Sequence, residues 1–248
     1  QHKTLGYAVI DADLTPDTQL SVGYDYQQKR ANGATWGGFP MLFSDGSPTP
    51  FDKSFSANPG WTYWDTTSKR LFATLEHGFA NDWKVRMGAT HDETKADDKL
   101  FYPAYNDWTT GASLLDPVTG AGVTPSAGFY NTERKVDAVD GYVEGPFQLF
   151  GREHQVMAGL SYNKRDYANY GDYQMGWAPL DNYLAGVADF PEPNWVSTLP
   201  LQSEGTITQK AGYAAARLAL ADPLKLILGA RYTDWKSEGE GSDRSHKE

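Results

Sequence analysis

Cysteine is absent from all 248 residues, which excludes a disulfide scaffold, a zinc-thiolate centre and a thiol nucleophile. Positive charge is scarce: 22 Lys and Arg stand against 32 Asp and Glu, a formal net charge of -10. A nucleic-acid partner requires a basic face to neutralise phosphates, so that class is excluded, and acidic substrates are disfavoured for the same reason. Long hydrophobic runs are missing too. No window approaches the roughly 18 consecutive apolar residues of a membrane-spanning helix. Disorder is excluded from the other side, because aromatics make up 14% of the chain and such chains bury enough surface to fold.

What is present is alternation. Leu20, Val22, Tyr24 and Tyr26 alternate with Ser21, Gly23, Asp25 and Gln27. Leu71, Ala73 and Leu75 share a second such face, Trp83, Val85, Met87 and Ala89 a third, and Leu224, Leu226, Leu228, Ala230 and Tyr232 a fourth. A period of two with one apolar side is the mark of a β-strand. The pattern predicts about eight strands, near 4–14, 18–29, 69–79, 82–94, 134–149, 153–167, 207–220 and 223–236. Tight turns at "LTPDT", "ANDW", "GREH" and "ADPL" join them in pairs. The other connections, about 30–68, 95–133 and 168–206, are long. Short turns at one end of a sheet and long loops at the other are the signature of an all-β, antiparallel, up-and-down transmembrane barrel. A soluble sandwich fits less well, since structureless loops of that length are uncommon in compact domains.

The three long connections hold more than half of the aromatic residues, among them Trp36, Phe39, Phe129, Tyr130 and Trp177. Rigid aromatic surface suits a bulky, partly apolar ligand. For most of these side chains the expectation is packing of loop on loop, with a minority left for a ligand. Catalytic and metal patterns are weak. His91 and Asp92 in "THDE" fall on opposite sides of a strand. "DADLTPD" lacks the glycine and closing glutamate of a calcium loop. No Ser/His/acid set assembles from spacing, so no enzyme is expected. The aromatic-rich loops also leave open a non-specific porin-like or adhesin-like barrel.

Four stretches carry a resemblance: "TWGGFPMLFSDGS" (35–47), "ERKVDAVD" (133–140), "FQLFGREH" (147–154) and above all "LADPLKLILGARYTDWK" (220–236). The chain resembles the barrel of the TonB-dependent ferric siderophore receptors along nearly its whole length. Within that family it looks most like receptors of the ferric coprogen and ferric rhodotorulic acid type, with the pyoverdine type as the alternative. The resemblance implies a bacterial outer-membrane location and a 22-stranded barrel, of which residues 1–248 would be about eight strands forming an open sheet. An N-terminal plug and the C-terminal strands would lie outside them. It implies a ferric hydroxamate siderophore of the coprogen, rhodotorulic acid or ferrioxamine type as cargo rather than cofactor, TonB as energy donor through the plug, and lipid and lipopolysaccharide around the wall. Trp36 and Trp177 look like the aromatic ligand contacts of that receptor type. Phe129 stands where a Trp is found, keeping the aromatic surface and losing the indole N–H. Phe39 and Tyr130 complete the candidate set. Because the siderophore already satisfies its iron, no protein metal ligands are implied.

Overall fold

The computed structural model describes residues 1–52, 55–56, 58–239 and 244–247. Residues 53, 54, 57, 240–243 and 248, part of the first long connection and of the acidic tail, lie outside the description. One antiparallel sheet holds every described strand in chain order: β1 (His2–Thr15), β2 (Thr18–Asn32), β3 (Tyr63–Gly78), β4 (Lys84–Ala104), β5 (Thr124–Leu149), β6 (Arg152–Gln174), β7 (Leu201–Ala221), β8 (Leu224–Gly239) and a short β9 (Arg244–Lys247). β1 and β9 are its two edges, so the sheet is open. The short turns fall where expected. Between β5 and β6 the two loop residues Phe150 and Gly151 both have positive φ, 51° and 71°. That is the backbone of a type I′ turn, whose twist matches the flanking strands.

The cross-strand partners assign the faces. Val22, Ala73, Ala89, Val139 and Tyr162 form one row, and Leu20, Leu75, Met87, Gly141, Leu160, Gly212 and Tyr232 the next. Partners point to the same side of a sheet and neighbours along a strand to opposite sides. This face is apolar yet open, with Met87, Val139, Leu160 and Tyr232 all exposed, as a lipid-facing wall must be. The other face carries Asp25, Arg70, Asp92, Thr94, Arg134 and Arg165, the composition of a lumen. It also carries an armour of aromatics lying over directly paired glycines: Phe72 over Gly23, Tyr213 over Gly159, Tyr167 over Gly205 and Tyr130 over Gly171. A glycine opposite leaves room for the ring to lie flat and shields the bare backbone.

Toward the long loops the apolar face ends. Lys69, His91, Asp137, Lys164 and Lys210 follow Leu71, Ala89, Val139, Tyr162 and Gly212. Surface pairs such as Lys95–Glu133 and Lys164–Asp166, each 2.8 Å, occupy this margin and contribute little to stability individually. The ladders do not stop there. β4 and β5 remain paired in one register to Ala104↔Thr124, and β5 and β6 to Ala127↔Gln174. The strands are therefore longer than hydropathy alternation suggests, and the connections run only over 33–62, 105–123 and 175–200. A bilayer dictates alternating hydropathy only over its apolar thickness, whereas hydrogen bonding continues wherever a neighbour supplies partners.

An arginine placed on each face separates them. Leu160→Arg, on the apolar face, should destabilise folding into bilayers by roughly 2–4 kcal/mol. Asn163→Arg, on the polar face of the same strand, should cost much less. Denaturant titration of bilayer-inserted protein measures both, and equal costs would contradict the assignment of faces.

Candidate functional site

Above the membrane margin, β3 to β6 continue as a wall with two unlike sides. On the polar side, Trp64, Asp98, Tyr130 and Gly171 stand in one cross-strand row. Two residues further along their strands come Leu100, Gly128 and Tyr173, and then Tyr102 opposite Ser126. Trp36 arrives from the first loop. Thr35 bridges to Phe101 beside the edge of β4, and its hydroxyl donates to the Phe101 carbonyl at 3.1 Å. This anchors the neighbouring indole over the wall, where Trp36 stacks on Trp64 with ring centres 6.0 Å apart and tilts against Tyr102 at 6.1 Å. Tyr102 meets Tyr173 edge-on at 5.7 Å, and the Tyr173 hydroxyl donates to Ser126 Oγ at 3.0 Å. The Tyr102 and Tyr130 phenols lie close enough to perturb one another's ionisation.

Tyr130 owes its posture to glycine. A Cβ on Gly171 would lie 2.6 Å from the Tyr130 ring, and one on Gly128 would meet it at 2.3 Å. The ring therefore lies where two strands expose bare backbone. Trp36 stays 58% exposed, an indole presented rather than buried. Gly37, with φ of 119°, provides the turn after it.

Asp98 is the unusual member. It is only 6% exposed, and its Oδ1 has no hydrogen-bond partner. Burial above all, then the charges of Asp97 and Asp65, push its carboxyl up to about 7, against the opposing pull of the Asp65 backbone N–H and the Lys29 ammonium. Burial also raises Tyr102 and Tyr183 above the ordinary phenol range. These phenols stay neutral donors at any physiological pH.

On the other side of the same wall, Tyr63, Lys99, Phe129 and Asp172 form the corresponding row. The third loop is fastened here. Lys99 lies 5.1 Å from the Phe129 ring centre and pairs with Glu192 at 2.6 Å, holding that carboxylate below its usual range. The Trp195 indole donates to Glu192 at 2.9 Å and packs on Phe129 at 5.8 Å. Trp61 joins the first loop to the third by donating to the Phe190 carbonyl at 3.0 Å. Behind this clasp, Phe43, Phe101, Leu115, Val123, Tyr183 and Val187 form a small buried core between the loops.

The five residues singled out from sequence thus separate. Trp36 and Tyr130 share the polar side, both in contact with Tyr102. Phe129 lies on the opposite side beneath Trp195. Trp177 packs edge-on against Phe190 at 5.6 Å, and Phe39 against Phe51 and Phe55. The same side also gathers Trp64, Asp98, Tyr102 and Tyr173, which the sequence alone does not single out. Their signal was the even spacing 98, 100, 102 on β4 and its register with Tyr130. Also unforeseen was a nine-residue repeat in the second loop, "NDWTTGASL" then "LDPVTGAGV" (106–123). Asp107 and Asp116 each accept from two backbone N–H groups and a Thr hydroxyl, closing two equivalent turns. Those hydrogen bonds hold both carboxyls below the ordinary aspartate range. His91 meets Asp137 at 2.6 Å and Glu93 at 3.6 Å, while Asp92 points to the other face. Among the described residues no group of three or more His, Asp or Glu side chains could hold a metal ion.

Residues 6–246 match the family described as "TonB dependent receptor-like, beta-barrel". The ferripyoverdine receptor of Pseudomonas aeruginosa is 32% identical, over 94% of this chain and 28% of its own length. The ferric-pyoverdine BN7/BN8 receptor of Pseudomonas putida is 30% identical, over 99% of this chain and 30% of its own. The crystal structure of the P. aeruginosa outer-membrane ferripyoverdine receptor bound to ferripyoverdine superposes with a TM-score of 0.84 at 28% identity, covering 98% of this chain and 32% of that one. The chain spans about 30% of the length of these relatives, and they are receptors rather than enzymes. With its open nine-stranded sheet, its lipid-facing apolar side and this match over nearly every residue, the chain belongs to the β-barrel family of the TonB-dependent outer-membrane receptors.

Proposed function

We propose that this chain is part of an outer-membrane receptor that binds a ferric siderophore of the pyoverdine type and imports it with energy delivered by TonB. One observation carries the reading: Trp36, Trp64, Tyr102, Tyr130 and Tyr173 gather on the polar side of the wall, at the loop end of the strands. Such a surface recognises the organic shell of a chelate by stacking and by neutral phenol donors, and leaves the iron to the chelator. The names of the relatives favour pyoverdine over coprogen or rhodotorulic acid, whose receptors are not among the relatives described above. In this reading residues 1–248 supply nine strands of a larger barrel. TonB acts through a plug beyond them, and lipid and lipopolysaccharide cover the apolar side. A porin-like or adhesin-like barrel would need no such gathering of rings. Trp177, Phe39 and Phe129 support the loops that frame the site.

In the intact receptor, Trp36→Ala and Tyr130→Ala should each weaken ferric pyoverdine binding by roughly tenfold or more, as loss of a central aromatic anchor does. Phe129→Ala should weaken it less than threefold, a change of under about 1 kcal/mol. Quenching of tryptophan fluorescence on titration gives all three affinities. A larger loss for Phe129→Ala than for Tyr130→Ala would contradict the assignment. Gly171→Ala should lower affinity about as much as Tyr130→Ala, because the added methyl displaces the ring. Unchanged binding in that variant would show that the posture of Tyr130 is immaterial.

A further inference from the structure

Asp98 has no task in the fold that its geometry explains. A buried carboxylate is ordinarily hydrogen-bonded at both oxygens or paired with a cation, because leaving it unmatched costs free energy. Here one oxygen is wholly buried and unmatched, and none of the ion pairs described above includes the residue. It stands directly opposite Trp64 on one side and Tyr130 on the other, in the row over which Trp36 is stacked. Aromatic faces attract cations as well as flat rings, most strongly away from water. The site therefore combines an unsatisfied acceptor with electron-rich walls. Together they match an ammonium or guanidinium group, and they match an anionic or purely apolar group poorly.

We propose that Asp98 is a specificity-determining residue that receives a cationic side chain of the siderophore between Trp64 and Tyr130, so that the receptor selects chelates bearing a basic group at that point. This rests on the siderophore-receptor reading above. The groups that bear on the carboxylate are Lys29 from β2, Asp65 from β3, Asp97 and Tyr102 from β4, and Tyr130 from β5. Lys29 is the one cation among them, and it forms no ion pair with Asp98 among those described above. A ligand cation supplies the missing charge, and only the ionised carboxylate can pair with it. Preference for a basic chelate accordingly rises as pH climbs through about 7 and fades in acid.

The test uses the intact receptor and two probes: a ferric pyoverdine whose peptide carries a primary amine, and the same chelate with that amine acetylated. Affinities come from tryptophan fluorescence quenching at pH 8 and pH 5.5. Wild type should prefer the free amine by about tenfold or more at pH 8, the range of a hydrogen bond to a charged group, and should lose most of that preference at pH 5.5. Asp98→Asn should bind both chelates alike at both pH values, with the acetylated chelate bound as in wild type. Asp98→Glu should recover part of the preference. Asp97→Asn, on the opposite side of the wall, should keep all of it. An Asp98→Asn receptor that still prefers the amine overturns the proposal. So does one in which both chelates lose affinity equally, since the cation would then come from the receptor itself. A wild type that binds both chelates tightly and alike sinks this proposal alone, whereas one that binds neither removes the siderophore reading with it.

Discussion

The unbroken ladder between β4 and β5 is the constraint on which the rest of the structure depends. It keeps one register from Lys84↔Glu144 near the turns to Ala104↔Thr124 at the loops, without a bulge. Side chains alternate strictly along such a ladder, so the division imposed by the bilayer at Met87 and Val139 is carried upward into water. Above the membrane nothing about hydropathy requires the two sides to differ. The difference is inherited. Tyr130 and Asp98 face inward because Gly88 and Asp140 do, and Phe129 and Lys99 face outward because Met87 and Gly141 do.

This inheritance explains how one aromatic-rich segment performs two jobs. The outward rings act as mortar: Phe129, Trp195 and Trp61 fasten the third loop to the wall with the help of the Lys99–Glu192 pair. The inward rings of Trp64, Tyr102, Tyr130 and Tyr173 are braced on strands rather than loops. Rings held by a hydrogen-bonded sheet lose less entropy on binding than rings on a mobile connection. Trp36 is the exception, carried by a loop but tethered by the Thr35 bridge to β4. Asp98 is the cost of this arrangement, a carboxyl raised by burial in a surface otherwise built of neutral groups.

Much of the fold was legible in the sequence, because lipid writes its requirement residue by residue. The apolar sets Leu20/Val22/Tyr24, Leu71/Ala73/Leu75 and Val85/Met87/Ala89 fall on one face as their alternation required, and the four short turns fall where Gly, Pro, Asn and Asp cluster. The strand tops were not legible. "KADDKLFYPA" (95–104) alternates neither in hydropathy nor in size, and its pairing depends on the partner strand rather than on its own pattern. The candidate site was legible in part for the same reason. Trp36 stood out as an indole among residues unable to bury it. Phe129 and Tyr130, adjacent in sequence, could not be told apart until register assigned them to opposite sides. Asp98, inside "DDK", looks in sequence like solvated charge, and only the neighbouring strands reveal it as buried.

The claim that ligand meets the inward side of this wall can be tested directly because the chain contains no cysteine. Single cysteines introduced as Tyr130→Cys and as Lys95→Cys, the latter on the outward side, can be labelled in the intact receptor with a maleimide, with and without ferric pyoverdine. The account predicts that the chelate slows labelling at position 130 and leaves position 95 unchanged. Protection at 95, or none at 130 while the chelate is bound, would contradict it.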